Sequence, residues 1–95
     1  MAIIIKCQPE LDIANAVTLR QQLLDALQTR EPLEIDAEAV RKIHTAALQL
    51  FLSLMIEAKS LSVLVRWRNP SPTLVEGARL LGLAESLGFV GAENG

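Results

Sequence analysis

The sequence predicts an α/β fold: one domain over residues 1–95, with a central, mixed but mostly parallel sheet of about four strands flanked by helices. Three observations lead there. Short β-branched runs alternate with longer stretches of helical spacing, in the order strand, helix, strand, helix, strand, helix, which implies right-handed crossovers. The chain has 95 residues, enough to bury one core and too few for two. Hydrophobic residues make up 51% of it while aromatics are 3% and tyrosine is absent, so Leu, Ile, Val and Ala must do the packing.

Ala2 to Lys6 is a β-branched run whose continuous apolarity suggests a strand covered on both faces. From Asp12 the period changes: Ala16, Leu19, Leu23 and Leu27 recur at three- and four-residue spacing, an amphipathic helix beginning near Ala14. Asp12 and Asn15 compete as its cap. Pro32 ends that segment, because proline disfavours helical geometry in the residue before it. Leu33 to Asp36 is a short strand with Leu33 and Ile35 on one side and Glu34 and Asp36 on the other. The sheet is expected to be mixed because the first strand pairs antiparallel.

A second helix runs from Thr45 to about Lys59. Ala47, Leu50, Phe51, Leu54, Met55 and Ala58 make one apolar face, and Leu48, Leu52 and Ile56 a second ridge, leaving only Gln49, Ser53, Glu57 and Ser60 for water. Either the helix is nearly engulfed, or one ridge is kept for another protein. Ser62 to Trp67 reads as another buried strand. Ser71 then caps a third helix with Pro72 at its first position and Gly82 at its left-handed end, and a last turn, Leu83 to Leu87, stops at Gly88. The expected core comprises Ile4, Leu19, Leu23, Ile35, Ile43, Leu50, Phe51, Leu54, Val63 and Val65.

Composition excludes several functions. The net charge of −2 is spread over both signs, so there is no footprint for nucleic acid and no polybasic membrane patch. One cysteine, Cys7, and one histidine, His44, rule out an internal disulfide and a protein-built zinc site; Cys7 reads as buried and reduced. No cofactor is implied. The opening MAIIIKC is too short for a signal peptide and no run approaches a membrane span, so the protein is expected to be soluble and cytoplasmic, without direct membrane insertion.

Attention then falls on VRKIHTAALQL, where His44 and Thr45 stand at the head of the second helix. Thr45 reads as its cap, worth about 1 kcal/mol, although Leu48 sits where a capping box would place Glu or Gln. His44 suggests a base, but consecutive residues at a strand-to-helix junction point apart and no glycine- or serine-rich elbow surrounds them. No catalytic residue is assigned, and the protein is read as not an enzyme. A phosphoryl group on Thr45 would be accepted by the helix start and would add nearly two negative charges beside the Leu48, Gln49, Leu52, Ile56 side of the helix.

Three segments together resemble the STAS domain family of bacterial anti-sigma-factor antagonists and sulfate-transporter tails. LDIANAVTLRQQLLDAL is similar to the family's opening Leu-Asp and first helix. LEIDAEAVRKIHTAALQLF is similar to its strand, acidic residue, loop and Asp-Ser-Ser-Gly-Leu motif. NPSPTLVEGARLLGLAESL is similar to its final Ser-Pro, helix and Leu-Gly-Leu. Thr45 falls at the position phosphorylated by a partner kinase in the antagonist branch, with Asp12 and Asp36 at flanking acidic positions. His44, Ala46 and Ala47 depart from the motif's aspartate, small residue and glycine.

The resemblance implies one of two roles. The first is a partner-switching regulator of transcription that binds an anti-sigma factor, or a related serine/threonine or chemotaxis-type kinase, through Leu48, Gln49, Leu52 and Ile56 and releases it when Thr45 is phosphorylated. The second is a structural subunit that props the ATPase of an ABC-type phospholipid transporter.

Overall fold

In the computed structural model, which describes residues 2–89, three strands form one parallel sheet in the order β1 (Ile3–Lys6), β3 (Leu33–Asp36), β5 (Val65–Arg68). The register is direct: Ile3, Leu33 and Val65 share one rung, Ile5, Ile35 and Trp67 another. A separate parallel ladder joins β2 (Glu10–Leu11) to β4 (Lys42–Ile43). Every pairing among the described residues is parallel, so the antiparallel first strand expected from the sequence is not found, and the main sheet has three strands.

The strand order explains a second departure. Moving from β1 to β3 to β5 in one direction with right-handed crossovers puts the connecting helices, α1 (Ile13–Gln28) and α2 (Thr45–Ser60), on the same face of the sheet. Among the described residues the opposite face is left open. Ile3 and Ile5 pack against the core, whereas Ile4, expected there, is 47% exposed on the open side with Lys6. The same alternation runs along β5, where Val65 and Trp67 turn inward and Arg66 and Arg68 outward. A parallel sheet normally needs cover on both faces. Here the open face carries charge instead: Asp36 lies between Lys6 and Arg68, and Glu34 between Ile4 and Arg66. The segment Ser62 to Leu64 is not strand; Ser62 is left-handed at φ 58° and Leu64 is exposed.

The covered face holds the core. Leu19, Leu23 and Leu27 of α1, Leu33 and Ile35 of β3, and Phe51 and Leu54 of α2 are buried together, with Val63 beside them. Ile43, Leu50 and Val65, expected fully inside, are half-buried and pack on its margin. A third helix, α3 (Pro72–Leu80), begins as its sequence dictates: the buried Ser71 hydroxyl accepts the Leu74 N–H at 3.2 Å, and Pro72 opens the first turn. The last helix, α4 (Ala84–Leu87), ends on Gly88 at φ 89°, a conformation that a side chain would oppose. Trp67 anchors it. The indole N–H donates to the Leu87 carbonyl, and the ring meets Phe51 edge-on at 5.0 Å and Phe89 at 4.9 Å.

Candidate functional site at the paired helix starts

The β2–β4 ladder brings α1 and α2 to their starts side by side. Leu11 pairs with Ile43, and one residue further the His44 N–H donates to the Leu11 carbonyl at 2.9 Å. Asp12 and His44, the two capping residues, therefore follow neighbouring strands in step. On α1 the contest for the cap goes to Asp12, whose Oδ1 accepts the Asn15 N–H at 2.8 Å, while the Asn15 side chain donates to the Glu10 carbonyl at 2.7 Å. Both residues are used, one as cap and one as brace.

On α2 the cap is His44, not Thr45. Imidazole Nδ1 accepts the Ala46 N–H at 3.1 Å, and the extended backbone of His44 (ψ 145°) places it just outside the helix. Thr45 is thereby the first helical residue, exposed, its hydroxyl not required for capping. The arrangement also disposes of His44 as a base toward Thr45, because the nitrogen nearest the chain is occupied by a backbone donor. No acidic residue lies in the first turn of α2, so the partial positive charge of its exposed N–H groups is not offset within the helix. Glu10, Leu11, Asp12, Lys42, Ile43 and His44 line a shallow depression of about 240 Å³ here.

Asp36 does not join them. It ends β3, where its Oδ1 accepts the Glu38 N–H at 3.1 Å, and it borders a different depression with Lys6, Cys7, Glu38 and Ala39. The sequence-predicted set thus divides: Asp12, His44 and Thr45 converge, and Asp36 belongs with Cys7. Burial pushes the Cys7 thiol up to about 12, and the Asp36 carboxylate adds to the rise, which leaves the sulfur protonated and unreactive near neutrality. Among the described residues no group of three or more His, Cys, Asp and Glu is placed to hold a metal ion, and no helix is long and apolar enough to cross a membrane.

The partner ridge expected along α2 needs one correction. Leu48 is only 2% exposed, because α3 lies across it: a side-chain carbon added at Gly77 would stand 3.5 Å from Leu48 Cδ1 and 3.5 Å from Ile43 Cγ2. Leu48 is core. Leu52 is half-buried against that core, whereas Gln49 is exposed and Ile56 is 64% exposed. What remains outward is a stripe at four-, three- and four-residue spacing, Thr45, Gln49, Leu52 and Ile56, starting at the helix cap. The sequence reading also missed the groove between α1 and α2, a cavity of about 100 Å³ whose lining includes Arg20, Leu24, Leu50 and Glu57.

A family described as Mlab, STAS domain matches residues 2–91. A search of the curated proteins finds no match. Among solved structures, the NMR structure of the protein TM1081 is similar with a TM-score of 0.74, covering 90% of this chain and 70% of that one at 17% identity. At that identity the likeness is one of fold.

Proposed function

The chain belongs to the STAS domain family, and on that footing we propose that it is a non-enzymatic, cytoplasmic docking module whose contact stripe is Thr45, Gln49, Leu52 and Ile56. One observation carries the reading: a hydroxyl stands exposed at the first position of α2, in line with exposed Gln49 and Ile56. A phosphate there would lie at the favourable end of the helix and would set two negative charges against any apolar partner surface. The fold would tolerate it and the contact would not. The proposed partner is an anti-sigma factor or a related serine/threonine or chemotaxis-type kinase, and the output is transcription regulation by partner switching.

A second reading, the structural subunit that props the ATPase of a phospholipid ABC transporter, is favoured by His44. Where the phospho-acceptor motif has an aspartate, this chain has an imidazole occupied with capping. A subunit of that kind would use the same stripe permanently, with Thr45 unmodified.

The two readings separate in one experiment. The protein purified from its own host is weighed intact, before and after incubation with a kinase encoded beside it, and its binding is compared for Thr45→Glu and Ile56→Asp. A gain of one phosphate, with loss of binding in both variants, supports switching. An unmodified mass, with Thr45→Glu binding normally and Ile56→Asp not, supports the permanent subunit. Normal binding by Ile56→Asp removes the stripe from either role. Ile56 is preferred to Leu52 for this test, since Leu52 also packs on the core.

A further inference from the structure

The surface left unused by the helix stripe is the outer edge of β1. The Ile3 N–H donates to the Pro32 carbonyl at 2.9 Å and the Cys7 N–H to the Asp36 carbonyl at 2.8 Å, so the odd-numbered residues of this strand face β3. By the alternation of a strand, the N–H and C=O groups of Ile4 and Lys6 face the other way, where no strand pairs with them among the described residues. The strand is a run of isoleucines without proline or glycine, and its outward Ile4 is one of the large exposed hydrophobics.

We infer that β1 pairs antiparallel with β1 of a second copy of this chain, centred on Ile5, to give a weak dimer with one continuous six-stranded sheet. In that register Ile4 exchanges both backbone bonds with Lys6 of the second copy, and Ile3 stands opposite Cys7. Charge fits this occupant. Each rung of the open face would read Arg66, Glu34, Ile4, then Lys6, Asp36 and Arg68 of the second copy, with no like charges adjacent. On the covered face, Ile5 would meet its own copy and extend the apolar layer.

The other edge is less suited. Self-pairing of β5 about Arg66, Trp67 or Arg68 sets arginine against arginine across the new ladder, and a register about Val65 runs off the strand at once. A four-residue strand buries little area, so the dimer is expected to form and dissociate with concentration rather than persist.

Sedimentation equilibrium over a concentration series tests the inference on the whole chain. The expected result is a mass that rises from one chain toward two. Ile4→Lys, which places lysine opposite Lys6 twice, should weaken dimerisation roughly ten-fold or more while circular dichroism stays unchanged. Leu81→Lys, at an exposed leucine away from β1, should leave the dimer intact. Cys7→Ala/Ile5→Cys should form a disulfide-linked dimer on mild oxidation, since the central pair of such a register brings the two side chains together. A mass fixed at one chain up to about 1 mM, where a standard free energy near −4 kcal/mol would still show, overturns the inference. A dimer indifferent to Ile4→Lys overturns it equally.

Discussion

Trp67 donates its indole N–H to the carbonyl of Leu87 at 2.7 Å, tying the central layer of the fold to its last helical turn twenty residues later. That bond joins the burial of Ala84 and Leu87 in holding α4, which is too short to be stable by itself. Trp67→Phe keeps an aromatic ring and leaves the carbonyl without its donor. Stability should fall by about 1–3 kcal/mol. Hydrogen exchange locates the effect: the Gly88 and Phe89 amides, which close α4 onto Glu85 and Ala84, should lose protection before those of α1.

The start of α2 gives a sharper discrimination. His44 holds the Ala46 N–H and Thr45 holds none of the helix donors, so His44→Ala should cost about 1 kcal/mol in urea unfolding and Thr45→Ala less than about 0.5 kcal/mol. His44→Asp should stabilise by about 0.5 kcal/mol, since a carboxylate is the better cap and the first turn of α2 holds no acid, with the nearby Asp12 reducing the gain. The same substitution restores the acid of the phospho-acceptor motif. If switching is the function, phosphorylation of Thr45 should become faster in it.

Gly77 lies inside α3 with room for a methyl group, its nearest neighbours at ordinary contact distance. Gly77→Ala removes the entropic disadvantage of glycine in a helix and fills the space against Leu48. The expected gain is about 0.5–1 kcal/mol, read from the denaturant midpoint at unchanged slope.

Cys7 makes stability depend on alkaline pH. The folded thiol titrates at about 12 against an ordinary 9.0, so between those values the unfolded chain has lost a proton that the native one keeps. Unfolding therefore becomes easier as pH rises through that window, by at most about 1.4 kcal/mol per unit, with no contribution from this group below it. Cys7→Ala should flatten that part of the profile, which is checked by comparing the two unfolding curves from pH 8 to 11. Labelling by a thiol reagent at pH 8 should follow opening of the fold rather than the chemistry of an exposed cysteine.

What could be read in the sequence was local chemistry. Ser71, Pro72, Gly82 and Gly88 sit where their side chains, or lack of them, satisfy backbone needs that do not depend on the rest of the fold. Long-range order decided the rest. A run of isoleucines looks the same whether a strand is covered on one face or two, and Ile4 was misplaced because strand order, not periodicity, leaves that face open. On a helix apolar almost all round, the inward side is chosen by what packs there, and α3 turned Leu48 inward while Leu50 moved to the margin. The ladder from Glu10 to Ile43 was invisible because its two-residue strands are too short to show a period. The hydroxyl at the start of α2 was legible, and the capping role of His44 was not, because histidine is an uncommon cap and threonine a common one.

The bond from His44 to Leu11 also bears on how any signal at Thr45 could travel. It clasps the two helices at their roots, and the β2–β4 rungs behind it and the Asp12 and Asn15 braces beside it fasten the same corner. Swinging α2 as a lever would unzip that clasp and drag α1 with it. A message written on Thr45 would therefore have no slack hinge to work through, and its reader would have to be a molecule that touches the surface at that spot.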